Sequence, residues 1–161
     1  MFPALRPILN KGGAGKYISR EESVERLRPI IADHLNLLRD YDHVAKRLQH
    51  AEARQRFNDV VLPNVRTELN KLYETILSHG GAAPTGAEMD WTASGLGGSD
   101  ADMIKALIER DKAYGQSLRD EMEAVHHQER TRAIIGHNAE KADDRLAMLR
   151  AVLAALTPQV R

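Results

Sequence analysis

Residues 24–48 read VERLRPIIADHLNLLRDYDHVAKRL. Within them Val24, Leu27, Ile31, His34, Leu38, Tyr41, Ala45 and Leu48 recur at alternating steps of three and four. At 3.6 residues per turn that spacing returns every member to one side, so it marks the inner face of a long amphipathic helix. His34 is the strongly polar member of that face. A histidine there points into a core, and a buried polar group without a partner costs about 1–3 kcal/mol. What His34 bonds to is therefore the first functional question the chain poses.

The pattern continues on both sides. Ser19 with Glu22 three residues later reads as a capping box that starts this first helix. Pro29 inside it predicts a kink or a short separate segment. The helix is expected to reach about residue 49 and to reverse near 50–52. A second helix carries Phe57, Val61, Val65, Leu69, Leu72 and Ile76 on one stripe, with Pro63 predicting another kink. His79-Gly80-Gly81 is its glycine stop.

Residues 79–99 form a glycine-rich link with Pro84 and the lone Trp91, and Ser99 with Asp102 caps the helix after it. That third helix has the stripe Ile104, Leu107, Asp111, Tyr114, Leu118, Met122 and Val125. The fourth runs to about Leu156 with the stripe Ile135, Ala139, Ala142, Leu146, Leu149, Leu153 and Leu156. Neighbouring antiparallel helices need only about 2–8 linking residues. The far longer link between the second and third helices predicts an all-α four-helix bundle whose link crosses its length, with Trp91 as an anchor across a groove.

Composition supports this and removes other classes. Aromatic residues make up only 4% of the 161, so Leu, Ile, Val, Ala and Met must fill the core, which suits helix-on-helix packing better than a β-sandwich. Lys+Arg and Asp+Glu both number 23, so no basic footprint for nucleic acid or an anionic membrane is present. With Cys at 0, thiol catalysis, thiolate metal sites and disulfides are excluded, which suits a cytoplasmic location. No stretch has the ~18 apolar residues of a spanning helix, and Pro3, Arg6 and Pro7 break any signal-peptide core.

Residues 1–18 read as a flexible or docking arm ahead of a bundle over 19–161. Gly15-Lys16 is followed by Tyr17 and no strand precedes it, so it is not a phosphate loop; Gly95-Leu96-Gly97-Gly98 likewise lacks the strand and spacing of a dinucleotide loop. Phe2, Leu5, Ile8 and Leu9 in the arm have no helix of their own to bury them. Apolar segments of that kind mark contacts, so a homodimer with the arm contributing is expected.

The helical segments TELNKLYETILSHGG (67–81), IERDKAYGQSL (108–118) and DDRLAMLR (143–150) resemble the ferritin-like superfamily, in particular its uncharacterised bacterial branch of small four-helix-bundle proteins. The resemblance spans about 27–156. It implies the bundle with a long crossover, and a superfamily in which interior carboxylates and histidines bind iron or manganese.

A ferritin-like di-iron site needs a Glu on each of two helices and a Glu-x-x-His on each of the other two, because i and i+3 share a face. That set is incomplete here. Glu68 is followed at i+3 by Lys71, and His137 is preceded at i−3 by Ile134. By angle His137 should face solvent. The literal Glu123-Ala124-Val125-His126 falls at a helix end, where an ordinary polar terminus is expected. Asp33-His34 and Asp40-Tyr41-Asp42-His43 resemble hemerythrin-like sites, but no His-x-x-x-Glu stands on the second helix.

Each helix nonetheless places one polar residue near mid-bundle: His34, Glu68, Asp111 and Asn138. Two readings are open. In one the layer satisfies itself, His34 bonding Glu68 and Asp111 bonding Asn138 or Tyr114, and fixes register as a buried Asn does in a coiled coil. In the other His34, Glu68 and Asp111 hold one Fe, Mn or Zn, with Asn138 or water completing the shell. The first gives a structural or stress-associated protein that acts by self-association rather than catalysis. The second gives a metal-binding protein with oxidase-like or storage activity.

Overall fold

The computed structural model describes residues 19–86, 95–125 and 129–157; the arm, Trp91 and His126 lie outside the described residues. Those residues form four helical rods and no strand. The first, α1, is Arg20–Arg47, capped by the Ser19 hydroxyl, which accepts from Glu22 N at 3.0 Å. It is continuous through Pro29 rather than split there. Leu27, Ile30, His34, Leu37, Tyr41, Val44 and Leu48 are buried, whereas Leu38 is only half-buried and flanks that seam.

The chain reverses at 48–50, two residues earlier than expected. His50 caps the next segment through Nδ1, which accepts from Ala53 N at 3.3 Å. Asp100 also ties this corner, taking Gln49 N at 2.9 Å and His50 N at 2.8 Å. The second rod, α2 (51–78), joins Ala51–Arg56, a wide π turn at Phe57–Val61, and Leu62–Ser78. Pro63 has no N–H to return to the preceding turn, and the π turn beside it, closed by Leu62 N on Phe57 O, absorbs that loss. The anticipated Pro63 irregularity is therefore an inserted residue in the helix.

The end of α2 is a Schellman motif. Gly80 N bonds Leu77 O at 2.9 Å, Gly81 N bonds Ile76 O at 3.0 Å, and Gly80 takes the left-handed φ of 77° that a glycine adopts without strain. Gly81 then passes so close to α1 that a Cβ would stand 2.5 Å from Val24 Cγ2.

The third rod, α3 (Asp100–Ala124), opens with a complete capping box between Ser99 and Asp102. The fourth, α4, is Glu129–Leu156. Cross-helix bonds give the packing. Arg26 meets Glu121, His34 meets Tyr114 and Tyr41 meets Asp111, so α3 runs antiparallel to α1. Glu68 meets His137 and Asn64 meets Arg145, so α4 runs antiparallel to α2. At the bundle's end, Thr131 Oγ1 and Ser23 Oγ, both fully buried, bond at 3.0 Å between α4 and α1.

The two described flanks of the link both touch α1. Arg28 donates to Ala82 O at 2.5 Å, and His43 Nε2 bonds Leu96 O at 2.8 Å. Leu96 is buried in the core. No helix among the described residues is long and apolar enough to cross a membrane.

Candidate functional site

The centre of the bundle is an ion pair. Arg145 on α4 and Asp111 on α3 both have fully buried side chains. Arg145 Nε donates to Asp111 Oδ2 at 2.7 Å and Nη2 to Oδ1 at 2.8 Å, a two-pronged geometry that suits a planar guanidinium. Arg145 Nη1 donates to Asn64 Oδ1 on α2 at 3.2 Å, and the Tyr41 hydroxyl on α1 donates to Asp111 Oδ2 at 2.5 Å. One carboxylate and one guanidinium thereby join all four helices. Tyr41 also stacks on Phe57, ring centroids 5.6 Å apart, at the start of the π turn.

His34 lies beside this pair, fully buried. Its Nε2 is 2.8 Å from Val65 O and its Nδ1 is 2.8 Å from the Tyr114 hydroxyl. A carbonyl can only accept, so Nε2 carries the proton and Nδ1 accepts from Tyr114. The imidazole is neutral. Burial, then the nearby Arg145 charge, depress its pKa to about 4, against a smaller opposing effect of the Val65 carbonyl. Burial raises both tyrosine hydroxyls above their ordinary range, with the Asp111 charge adding to the effect at Tyr41. Burial alone would lower Arg145, yet the Asp111 carboxylate holds it above its ordinary value. Near neutrality His34, the two tyrosines and Arg145 keep their protons fixed, so the layer is suited to holding helices in register rather than to moving protons.

No family model matches the chain, and no curated protein matches it.

Glu68 sits one turn along α2, with its side chain 3% exposed. Lys71 Nζ donates to Oε1 at 2.9 Å, and His137 Nε2 on α4 stands 2.8 Å from Oε2. Lys71 Nζ is also 2.8 Å from His137 Nε2. Oε2 receives no hydrogen bond. An ammonium can only donate, so Nε2 accepts from Lys71 and directs no proton at Oε2.

These bonds differ from the sequence expectations in partner, not in place. His34, Glu68, Asp111 and Asn138 are all buried. His34 bonds Tyr114 and a backbone carbonyl rather than Glu68. Asp111 bonds Arg145 and Tyr41 rather than Asn138 or Tyr114. Asn138 Nδ2 turns back to Ile134 O at 3.2 Å on its own helix. His137 is half-buried between α2 and α4 and meets Glu68, not solvent alone.

The metal set fares differently. His34, Glu68 and Asp111 are not brought to one point. Both ring nitrogens of His34 are bonded, both oxygens of Asp111 face Arg145, and Glu68 faces Lys71 and His137. Among the described residues no three His, Asp or Glu side chains are grouped to hold a metal ion. The donor set thus does not fit the iron or manganese that the ferritin-like resemblance implies, because the chain's own cations stand against its interior carboxylates.

Arg145 and Asp40 escaped the sequence reading. Asp40, 4% exposed, pairs with Arg39 at 3.3 Å and with Arg110. A signal for Arg145 exists: Thr131, Ile135, Asn138, Ala142, Arg145, Leu149, Val152 and Leu156 alternate at steps of four and three. That seam departs from the expected one at Asn138, Arg145 and Val152, which are buried alongside Ala139 and Leu146 of the expected stripe, and has Arg145 at its middle.

Proposed function

We propose that this chain is a ferritin-like structural or stress-associated bundle protein of the cytoplasm that acts through self-association as a homodimer, with the 1–18 arm contributing. The observation that carries the reading is the fully buried Arg145–Asp111 pair, which ties four helices with charges the chain itself supplies. A buried ion pair is a poor device for stability alone, because desolvating both charges offsets most of their attraction. Its value here is one register out of several, as buried polar groups give in coiled coils. A protein that presents a fixed surface to another copy needs that uniqueness.

The crossover topology draws support from the link's flanks. Ala82 bonds α1 near its start, at Arg28, and Leu96 bonds it near its end, at His43. These positions lie about 22 Å apart along the helix at 1.5 Å per residue. The arm has the character of a contact segment: Phe2, Leu5, Ile8 and Leu9 are apolar, and Arg6, Lys11 and Lys16 are its charged residues. The remainder of the chain has an excess of acid that balances them, since the whole sums to +0.

Light scattering on the full chain and on a chain beginning at Ser19 tests the reading. A dimer for the full chain that weakens or dissociates without the arm is expected. A monomer in both would overturn it.

A further inference from the structure

Glu68, Lys71 and His137 form a second polar cluster, separate from the Arg145–Asp111 pair and half-open to solvent. His137 lines a groove of about 470 Å³ between α2 and α4, together with Thr75 and Ser78. Its chemistry is unusual in one respect. A carboxylate oxygen nine-tenths buried has no hydrogen-bond donor, and its nearest polar neighbour is an imidazole nitrogen 2.8 Å away. The imidazole nitrogen accepts from Lys71, while the carboxylate oxygen beside it accepts from nothing.

Such a pair calls for a cation. Ligands 2.8 Å apart, each bonded to one metal ion at about 2.1 Å, subtend about 85° at that ion, the angle of adjacent ligands in an octahedral site. Imidazole with carboxylate suits Zn, Co, Fe or Mn. The cation already supplied is the Lys71 ammonium, 2.9 Å from Glu68 Oε1 and 2.8 Å from His137 Nε2. It is delivered from position i+3 of the same helix, the position that shares the Glu68 face. Its side chain is 38% exposed, so nothing seals it in.

We propose that Glu68 and His137 form a latent divalent-metal site whose cation position is held by the Lys71 ammonium, which excludes metal from the wild-type chain. The inference deepens the reading of a layer neutralised from within: Arg145 does for Asp111 what Lys71 does for Glu68. It also predicts that one substitution opens the site. Lys71→Ala leaves Glu68 and His137 with water completing the shell, and Lys71→His adds a second imidazole on the Glu68 face.

The test is titration of the full chain with Co²⁺ and Zn²⁺, read by cobalt d–d absorption and by calorimetry. Circular dichroism on each variant verifies that it is folded, and the two variants guard against either one failing to fold. Wild type should show no one-to-one binding, while a folded Lys71→Ala or Lys71→His should bind one equivalent at least about tenfold more tightly, or about 1.4 kcal/mol. Adding His137→Ala to either variant should abolish it. Folded variants that bind no better than wild type would overturn the proposal, as would binding that survives His137→Ala. Stoichiometric metal in wild type that survives both Glu68→Ala and His137→Ala would instead overturn the reading of an internally neutralised layer.

Discussion

Removing the guanidinium from the Arg145–Asp111 pair should be costly, and removing both charges should not. In Arg145→Met the Asp111 carboxylate, fully buried, loses donors at 2.7 and 2.8 Å and keeps only the Tyr41 hydroxyl. A buried charge stranded this way costs about 3–5 kcal/mol. Asp111→Leu strands the guanidinium and should cost a similar amount. In the double variant the ion pair is replaced by apolar volume, which ranges from neutral to about 1–4 kcal/mol stabilising. The orphaned Tyr41 hydroxyl then costs about 1–3 kcal/mol in the other direction. The double variant should therefore lie within about 3 kcal/mol of wild type, well short of the summed cost of the singles. Urea unfolding monitored by circular dichroism, with comparable slopes for all four proteins, measures the cycle. Single effects below about 1 kcal/mol that add within about 0.5 kcal/mol would refute the central pair.

His34 and Gly81 give two further outcomes. His34 has its folded pKa lowered from 6.5 to about 4, so the unfolded chain takes up its proton first as pH falls. Its contribution is fully present above pH 6.5 and is lost as pH drops toward 4, roughly 3 kcal/mol in all. The difference in unfolding free energy between wild type and His34→Gln should shrink across that window, and a pH-independent difference would contradict the buried neutral imidazole. Gly81→Ala places a Cβ 2.5 Å from Val24 Cγ2 and should cost about 1–3 kcal/mol, with much of the loss recovered by adding Val24→Ala. Additive thermal shifts for the two substitutions would show that this close approach does not exist in solution.

The helices were legible because their inner faces repeat at three and four, and because Ser19, Ser99 and Gly80-Gly81 mark ends with specific chemistry. Partners across the bundle were less so, because opposing levels depend on where the chain turns. Centring the first reversal near residue 51 sets Glu68 opposite His34. The actual reversal at 48–50 shifts the opposing position by twice the error, to about residue 64, and the residue inserted by the π turn moves it to Val65. Between the third and fourth helices, whose described ends are Ala124 and Glu129, the level opposite Asp111 falls at Arg145 rather than Asn138. Arg145 itself was hidden by its type. Arginine is almost never fully buried unless paired, and a seam drawn through apolar residues alone passes beside it. A single apolar stripe on α4 puts His137 in solvent, but that helix packs against both α3 and α2.

Metal content bears on the account most directly, because the alternative to a layer neutralised by Arg145 and Lys71 is one completed by iron, manganese or zinc. The full chain, purified without chelator and without a histidine tag, should contain far less than one equivalent of any of these by plasma mass spectrometry. One equivalent or more, lost in His34→Ala, Glu68→Ala or Asp111→Ala, would contradict it.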